Sequence, residues 1–282
     1  MKNTLALKEG QLVYSTAGNP KNPPLMMLHG WCSYRGIWRQ TIPALQDDFY
    51  CVAVDLLGFG DSDKPDNADY SIEAQGNRVL QLADSLGWDK FNLMGHSMGG
   101  QIALCIASML APSRVKKLVN VAGVASARLA PYSDRITRRF FSLARKFSPA
   151  FSLWRYMLGY NWYKREAFKT WFYNMDAISF TEWAADREMA SQPAIRISAD
   201  EAGKAIYALN LTPHLDKITV PTLTIFGQQD EVVPVSDAHV AEQNIKNSRL
   251  VLLDQCGHFP MYEKTAPYLK AVQSFMLNGH SA

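Results

Sequence analysis

Short apolar runs alternate with helical stretches over residues 11–125 and again over 218–278, and a long aromatic-rich span separates the two. This alternation constrains the fold more than any other feature. A strand that is apolar on both faces must be covered on both, so such strands pair in parallel with helices above and below. Gln11–Thr16, Leu25–Leu28, Tyr50–Asp55, Phe91–Met94, Lys117–Val121, Thr222–Phe226 and Arg249–Leu253 read as strands. Helices are expected over Trp38–Leu45, from Ser71 to Gly87, and over Met98–Ala111, Val235–Ile245 and Pro267–Leu277. Ser71 has the side chain of an N-cap, while Gly87 and Pro112 stop the helices that precede them.

Residues 126–212 break the pattern. They hold 17 of the chain's 32 aromatic residues and offer no convincing strand. So long and apolar a segment is no loop and reads as a helical insertion. The expected organisation is a core of residues 1–125 and 213–282 with a helical cap of residues 126–212. Its aromatics suit a pocket wall or the insertion's own core equally well. Residues 128–155 carry Arg128, Arg135, Arg138, Arg139, Arg145, Lys146 and Arg155 against Asp134 alone. Such a run is read first as a solvated helix face, with attraction to an anionic substrate or lipid surface as the alternative.

Composition narrows the function. A net charge of +3 gives no reason to expect a nucleic-acid partner. No apolar run reaches the roughly 18 residues of a membrane span, and Met1–Leu7 is too short for a secretory signal. Cys32, Cys51, Cys105 and Cys256 form no CxxC pair. They are expected as free thiols in a reducing cytoplasm, with no metal site and no cofactor.

Gly95-His96-Ser97-Met98-Gly99-Gly100 contains G-x-S-x-G. Glycine and serine are common, so the match gains weight only from its place between a strand and a helix. So tight a turn forces the serine into a strained conformation and needs Gly95 and Gly99, which have no side chain to obstruct the chain. The serine hydroxyl then stands at the sheet's edge, and the N-terminus of the next helix favours developing negative charge there.

These segments resemble the α/β-hydrolase superfamily over nearly the whole chain. His29-Gly30-Trp31, Asp55–Ser62, Pro221–Asp230 and Gly257-His258-Phe259-Pro260 add to the likeness, and GHSMGG is similar to capped bacterial esterases and lipases. The resemblance implies a mostly parallel sheet of the eight-stranded kind, helices on both faces and a helical cap. It also implies a triad in the order nucleophile, acid, histidine.

Ser97 is the expected nucleophile and His258, in a loop just after a strand, the expected base. His214, His239 and His280 are less suitably placed. Asp230 is the expected acid, with Glu231 and Asp254 as rivals. Oxyanion donors are expected from the backbone N–H groups of Met98 and Trp31, with His29 and Gly30 shaping the latter's loop. His96, Asp55 and Asp61 are read as structural.

The expected activity is hydrolysis of a small-molecule carboxylic ester, with short to medium acyl chains, through an acyl-enzyme. One alternative is a carbon–carbon hydrolase of ring-cleavage diketo acids. Another is a receptor of the same fold without turnover.

Overall fold

A computed structural model of the chain describes residues 2–131, 148–157, 160, 162, 166, 168–178 and 183–277. Eight strands form one sheet: β1 (Lys2–Leu7), β2 (Gly10–Ala17), β3 (Pro24–Leu28), β4 (Tyr50–Asp55), β5 (Phe91–His96), β6 (Val115–Val121), β7 (Thr222–Gly227) and β8 (Ser248–Leu253). The order across the sheet is β1-β2-β4-β3-β5-β6-β7-β8. β2 runs antiparallel to β1 and β4, and every pairing from β4 to β8 is parallel.

The helices are α1 (Thr41–Leu45), α2 (Ile72–Ser85), α3 (Met98–Cys105), α4 (Ser148–Met157), α5 (Ala184–Ala190), α6 (Arg196–Ala208), α7 (Ser236–Asn244), α8 (Pro260–Glu263) and α9 (Thr265–Leu277). Every residue of β5 and β7 is buried. Successive side chains point to opposite faces, so one strand feeds two apolar layers. Met26 and Leu28 pack with Val79, Leu82 and Ile102 of α2 and α3. Leu25 and Met27 pack with Trp38, Tyr268 and Val272 on the other side. Ser71 caps α2 as expected, its Oγ accepting from the Ala74 N–H at 3.2 Å.

Three elements differ from the sequence reading. β1 is an edge strand whose side chains alternate between exposed and half-buried, so it lacks the continuous apolar run that marks the central strands. The expected helix Trp38–Leu45 is a 3₁₀ turn over Arg35–Trp38 followed by α1. Pro43 has no N–H to bond back to residue 39, which prevents one continuous helix. The expected helix Met98–Ala111 is α3 continued by a wider π turn over Ile106–Leu110.

Among the described residues of 126–212 there is no strand, only helices and turns. The Leu211 N–H donates to the Ala125 carbonyl at 2.9 Å, so the segment leaves and rejoins the sheet at one place. Arg135, Arg138, Arg139, Arg145 and Lys146 of the basic run, and His280, lie outside the described residues. All four cysteines are buried free thiols, and no helix among the described residues is long and apolar enough to cross a membrane.

Candidate active site

Ser97 ends β5 and opens α3 with φ 56° and ψ −120°. A non-glycine residue in this region is strained, and such strain persists only where the surroundings over-determine it. Here the Ser97 N–H donates to the Val121 carbonyl at 2.9 Å, and its own carbonyl accepts from the Gln101 N–H at 3.0 Å. Strain gathers around this edge: Cys32, Ala122 and Gln255 also have positive φ, each just beyond a strand's C-terminal end.

The glycines of the motif are required by space. A Cβ on Gly95 would lie 2.2 Å from the Gly99 carbonyl oxygen, and one on Gly99 would lie 2.4 Å from the carbonyl oxygens of His29 and Leu28. Gly99→Ala therefore sets a side chain against the backbone at the end of β3 and should cost about 3 kcal/mol, the upper end of overpacking penalties. Gly87→Ala is the control. Its Cβ would meet nothing within 4 Å, and only its φ of +72° opposes it, at a cost of about 1 kcal/mol. Urea unfolding of both variants checks this, and equal losses would contradict the steric account.

His258 follows β8 in a buried loop, and its Nδ1–H donates to Asp230 Oδ2 at 2.8 Å. The second carboxylate oxygen, Oδ1, accepts from the N–H groups of Val232 and Val233 at 2.8 and 2.9 Å. Both oxygens are thus engaged, and the carboxylate cannot turn away. The hydrogen on Nδ1 leaves the lone pair of the imidazole on Nε2. Asp230 rather than Asp254 makes this contact: the exposed Asp254 accepts from the Gln229 side chain at 3.0 Å. His239 faces Glu242 at 3.8 Å on the surface of α7, and His214 sits beside Lys217.

His96 links the two halves of the site. Its Nε2–H donates to the His258 carbonyl at 2.9 Å, and its ring lies 4.7 Å from the His258 ring and 4.8 Å from that of Phe259. The residue next to the candidate nucleophile thereby holds the backbone of the candidate base. This contact was not legible from the motif.

Burial, reinforced by His258, pushes the proton affinity of His96 well below the usual histidine value. Burial does the same to His29, opposed by the charge of Asp55. Both histidines stay neutral in the folded protein while the unfolded chain takes up protons below about pH 6.5. Stability is therefore fully present above that pH and is lost as pH falls, by up to about 1.4 kcal/mol per pH unit for each group. In His96→Gln one of the two contributions disappears. Between pH 7.5 and 5.5 the wild type should lose about 1 kcal/mol more than the variant in urea unfolding. Parallel losses would count against a neutral His96.

The loop after β3 passes beside the serine: a Cβ on Gly30 would lie 2.9 Å from Ser97 Cβ. His29 shapes this loop. Its Nδ1–H donates to the Gly30 carbonyl at 2.7 Å and its Nε2 accepts from the Leu56 N–H at 3.0 Å. Trp31 follows Gly30, and Met98 opens α3, so both expected oxyanion donors leave from segments adjoining Ser97. Asp55 does structural work, accepting from the N–H groups of Arg35 at 2.6 Å and Asp61 at 2.8 Å and pairing with the Arg35 guanidinium.

The segment between β6 and β7 is fastened to these loops. Trp31 Nε1–H donates to the Ala199 carbonyl of α6 at 2.8 Å. The His258 N–H donates to the Trp171 carbonyl at 2.9 Å, and Phe259 stacks on Phe172 at 5.2 Å. Glu263 accepts from the Gly257 N–H at 2.7 Å and the Asn174 N–H at 3.0 Å. Burial raises its proton affinity from the ordinary glutamate value, and Asp230 adds to this, against the pull of its backbone donors. Arg39 pairs with Asp186 at 3.0 Å, and Tyr262 bonds to both.

Such a sheet, with a strained serine at one edge and a bonded histidine–carboxylate pair beside it, defines a protein of the α/β-hydrolase type. The chain belongs to the α/β-hydrolase fold family, whose model matches residues 23–265. It is 26% identical to the monoacylglycerol lipase ABHD6 of Bos taurus over 302 residues, covering 96% of this chain and 80% of that one. It is 27% identical to the 2-hydroxymuconate semialdehyde hydrolase of Pseudomonas sp. (strain CF600) over 285 residues, covering 92% and 88%. The crystal structure of a bacterial membrane phospholipase A superposes with a TM-score of 0.79 at 26% identity, covering 100% of this chain and 87% of that one.

Proposed function

We propose that the chain hydrolyses carboxylic esters through an acyl-enzyme formed on Ser97. The observation that carries this reading is the buried 2.8 Å bond from His258 Nδ1–H to Asp230 Oδ2, at the sheet edge where Ser97 has left-handed φ. Names of relatives add to it: a monoacylglycerol lipase and a phospholipase A both cleave glycerol esters.

In the proposed reaction, His258 Nε2 takes the hydroxyl proton as Ser97 Oγ attacks the ester carbonyl carbon. The carbonyl oxygen becomes an oxyanion, accepting from the N–H groups of Met98 and Trp31 at the positive end of α3. The imidazolium, steadied by Asp230, passes its proton to the departing alkoxide as the C–O bond breaks. Water then attacks the acyl group by the same route, releasing the acid and restoring Ser97. The serine proton leaves with the alcohol and a proton from water replaces it, so the cycle restores Ser97 and His258 without a metal or organic cofactor. Residues 126–212 form the helical cap on this reading, and the bonds from Ala199 and Trp171 to the two loops beside Ser97 support that assignment.

Initial rates on p-nitrophenyl esters from acetate to palmitate test the proposal. Turnover with an optimum at short to medium chains is expected, and an inert wild type would overturn it. A second reading, carbon–carbon hydrolysis of a vinylogous diketo acid, is favoured by the likeness to the 2-hydroxymuconate semialdehyde hydrolase. Turnover of such an acid alongside inert esters would establish it instead.

A further inference from the structure

Among the described residues, seven large apolar side chains stand well exposed, and four of them fall within ten residues: Leu153, Tyr156, Tyr160 and Trp162. Leu153 and Tyr156 are three apart on α4 and share a face. They are 62% and 65% exposed, and Trp162 is 64% exposed. The Tyr156 and Tyr160 rings meet edge to face at 5.7 Å with their hydroxyls 2.9 Å apart, which carries the row past the helix end. Trp154 of the same helix is half-buried against both apolar layers. α4 thus carries Trp154 inward and Leu153 and Tyr156 outward. A helix facing water alone would carry charge on its outer side.

The charge of the chain is divided unevenly along its sequence. Residues 128–169 hold ten Lys or Arg against two Asp or Glu, while the other 240 residues hold nineteen against twenty-four. The segment is strongly basic in a chain that is otherwise acidic. Tyrosine and tryptophan, with an apolar body and a polar tip, suit the boundary between lipid headgroups and acyl chains. Basic residues beside an apolar helix face add attraction to anionic lipid. A second copy of this chain would bring a like-charged segment against the first.

We propose that this face of the insertion docks on an anionic lipid surface. Leu153, Tyr156, Tyr160 and Trp162 enter the headgroup boundary, and the net positive charge of residues 128–169 favours anionic over neutral lipid. The proposal is independent of the reaction at Ser97.

The test is flotation of the full chain with vesicles of phosphatidylcholine, and of equal parts phosphatidylcholine and phosphatidylglycerol. Binding to the mixed vesicles is expected, weaker by about tenfold or more on the neutral ones and falling as salt is raised. The combined variant Leu153→Ser, Tyr156→Ser and Trp162→Ser should bind the mixed vesicles about tenfold or more weakly than the wild type. Its thermal midpoint should stay within about 2 °C of the wild type, since the replaced side chains are largely solvated. If that midpoint falls further, the wild type's lipid and salt dependence decides alone. Equal binding to both vesicle types, or a stably folded variant that binds like the wild type, overturns the proposal. So does a wild type that ignores vesicles but binds single-stranded DNA, or one that dimerises through these residues.

Discussion

Ser97→Ala should lower ester hydrolysis by roughly 10⁴- to 10⁶-fold and leave stability nearly unchanged. The loss follows from the proposed mechanism, in which Oγ is the attacking atom. The small effect on stability follows from the structure. Although Ser97 precedes α3, its side chain makes no capping bond there, so removing the hydroxyl removes no cap. Alanine keeps the Cβ that makes φ 56° unfavourable. Ser97→Gly removes it, and should be as inactive yet more stable by about 1–2 kcal/mol. Rates on p-nitrophenyl butyrate with thermal melts of all three proteins check both parts. An alanine variant with appreciable activity would eliminate Ser97 as the nucleophile. A glycine variant no more stable than the alanine one would mean that the left-handed turn stores little strain.

The parts of this protein legible in its sequence are those whose signals are local. β5 and β7 are continuous apolar runs because both faces are buried. Ser97 is marked by glycines that space requires on either side, and Ser71 by its cap. β1 left no such signal, being an edge strand with one half-buried face. The choice of Asp230 over Asp254 and Glu231 was carried by resemblance, and the 2.8 Å contact to His258 supplies the geometric reason. The fastening of the insertion was not legible at all. Trp31 meets Ala199 across 168 positions, Arg39 meets Asp186 across 147, and Glu263 meets Asn174 across 89. Pairings so distant leave no periodicity in any window, and a lone glutamate or arginine there looks like ordinary surface charge.

Asp230→Asn should lower turnover by about 10⁴-fold, with KM little changed. The argument turns on which way the new amide faces. Asn has one acceptor oxygen and one donor nitrogen where Asp had two acceptors. On the Oδ1 side two backbone donors, Val232 N–H and Val233 N–H, need an acceptor; on the Oδ2 side one imidazole N–H does. The backbone donors cannot change character, whereas the imidazole can move its hydrogen. The amide oxygen therefore stays with Val232 and Val233, and the NH₂ group faces His258 Nδ1. To accept from it, His258 must carry its hydrogen on Nε2, and the lone pair that would deprotonate Ser97 is gone. The fold loses little, because Val232, Val233 and His258 each keep a hydrogen bond to residue 230. Asp230→Ala should be as inactive but less stable by about 2 kcal/mol more, because it leaves the N–H groups of Val232 and Val233 unpaired. Asp254→Asn should change turnover less than twofold, its carboxylate being exposed and bonded to Gln229. Adding Ser97→Ala to Asp230→Asn should lower the rate no further than Ser97→Ala does alone, because groups that act as one unit are lost only once. A full additive loss in that double variant would show that Asp230 contributes to turnover by a route other than orienting the base for Ser97.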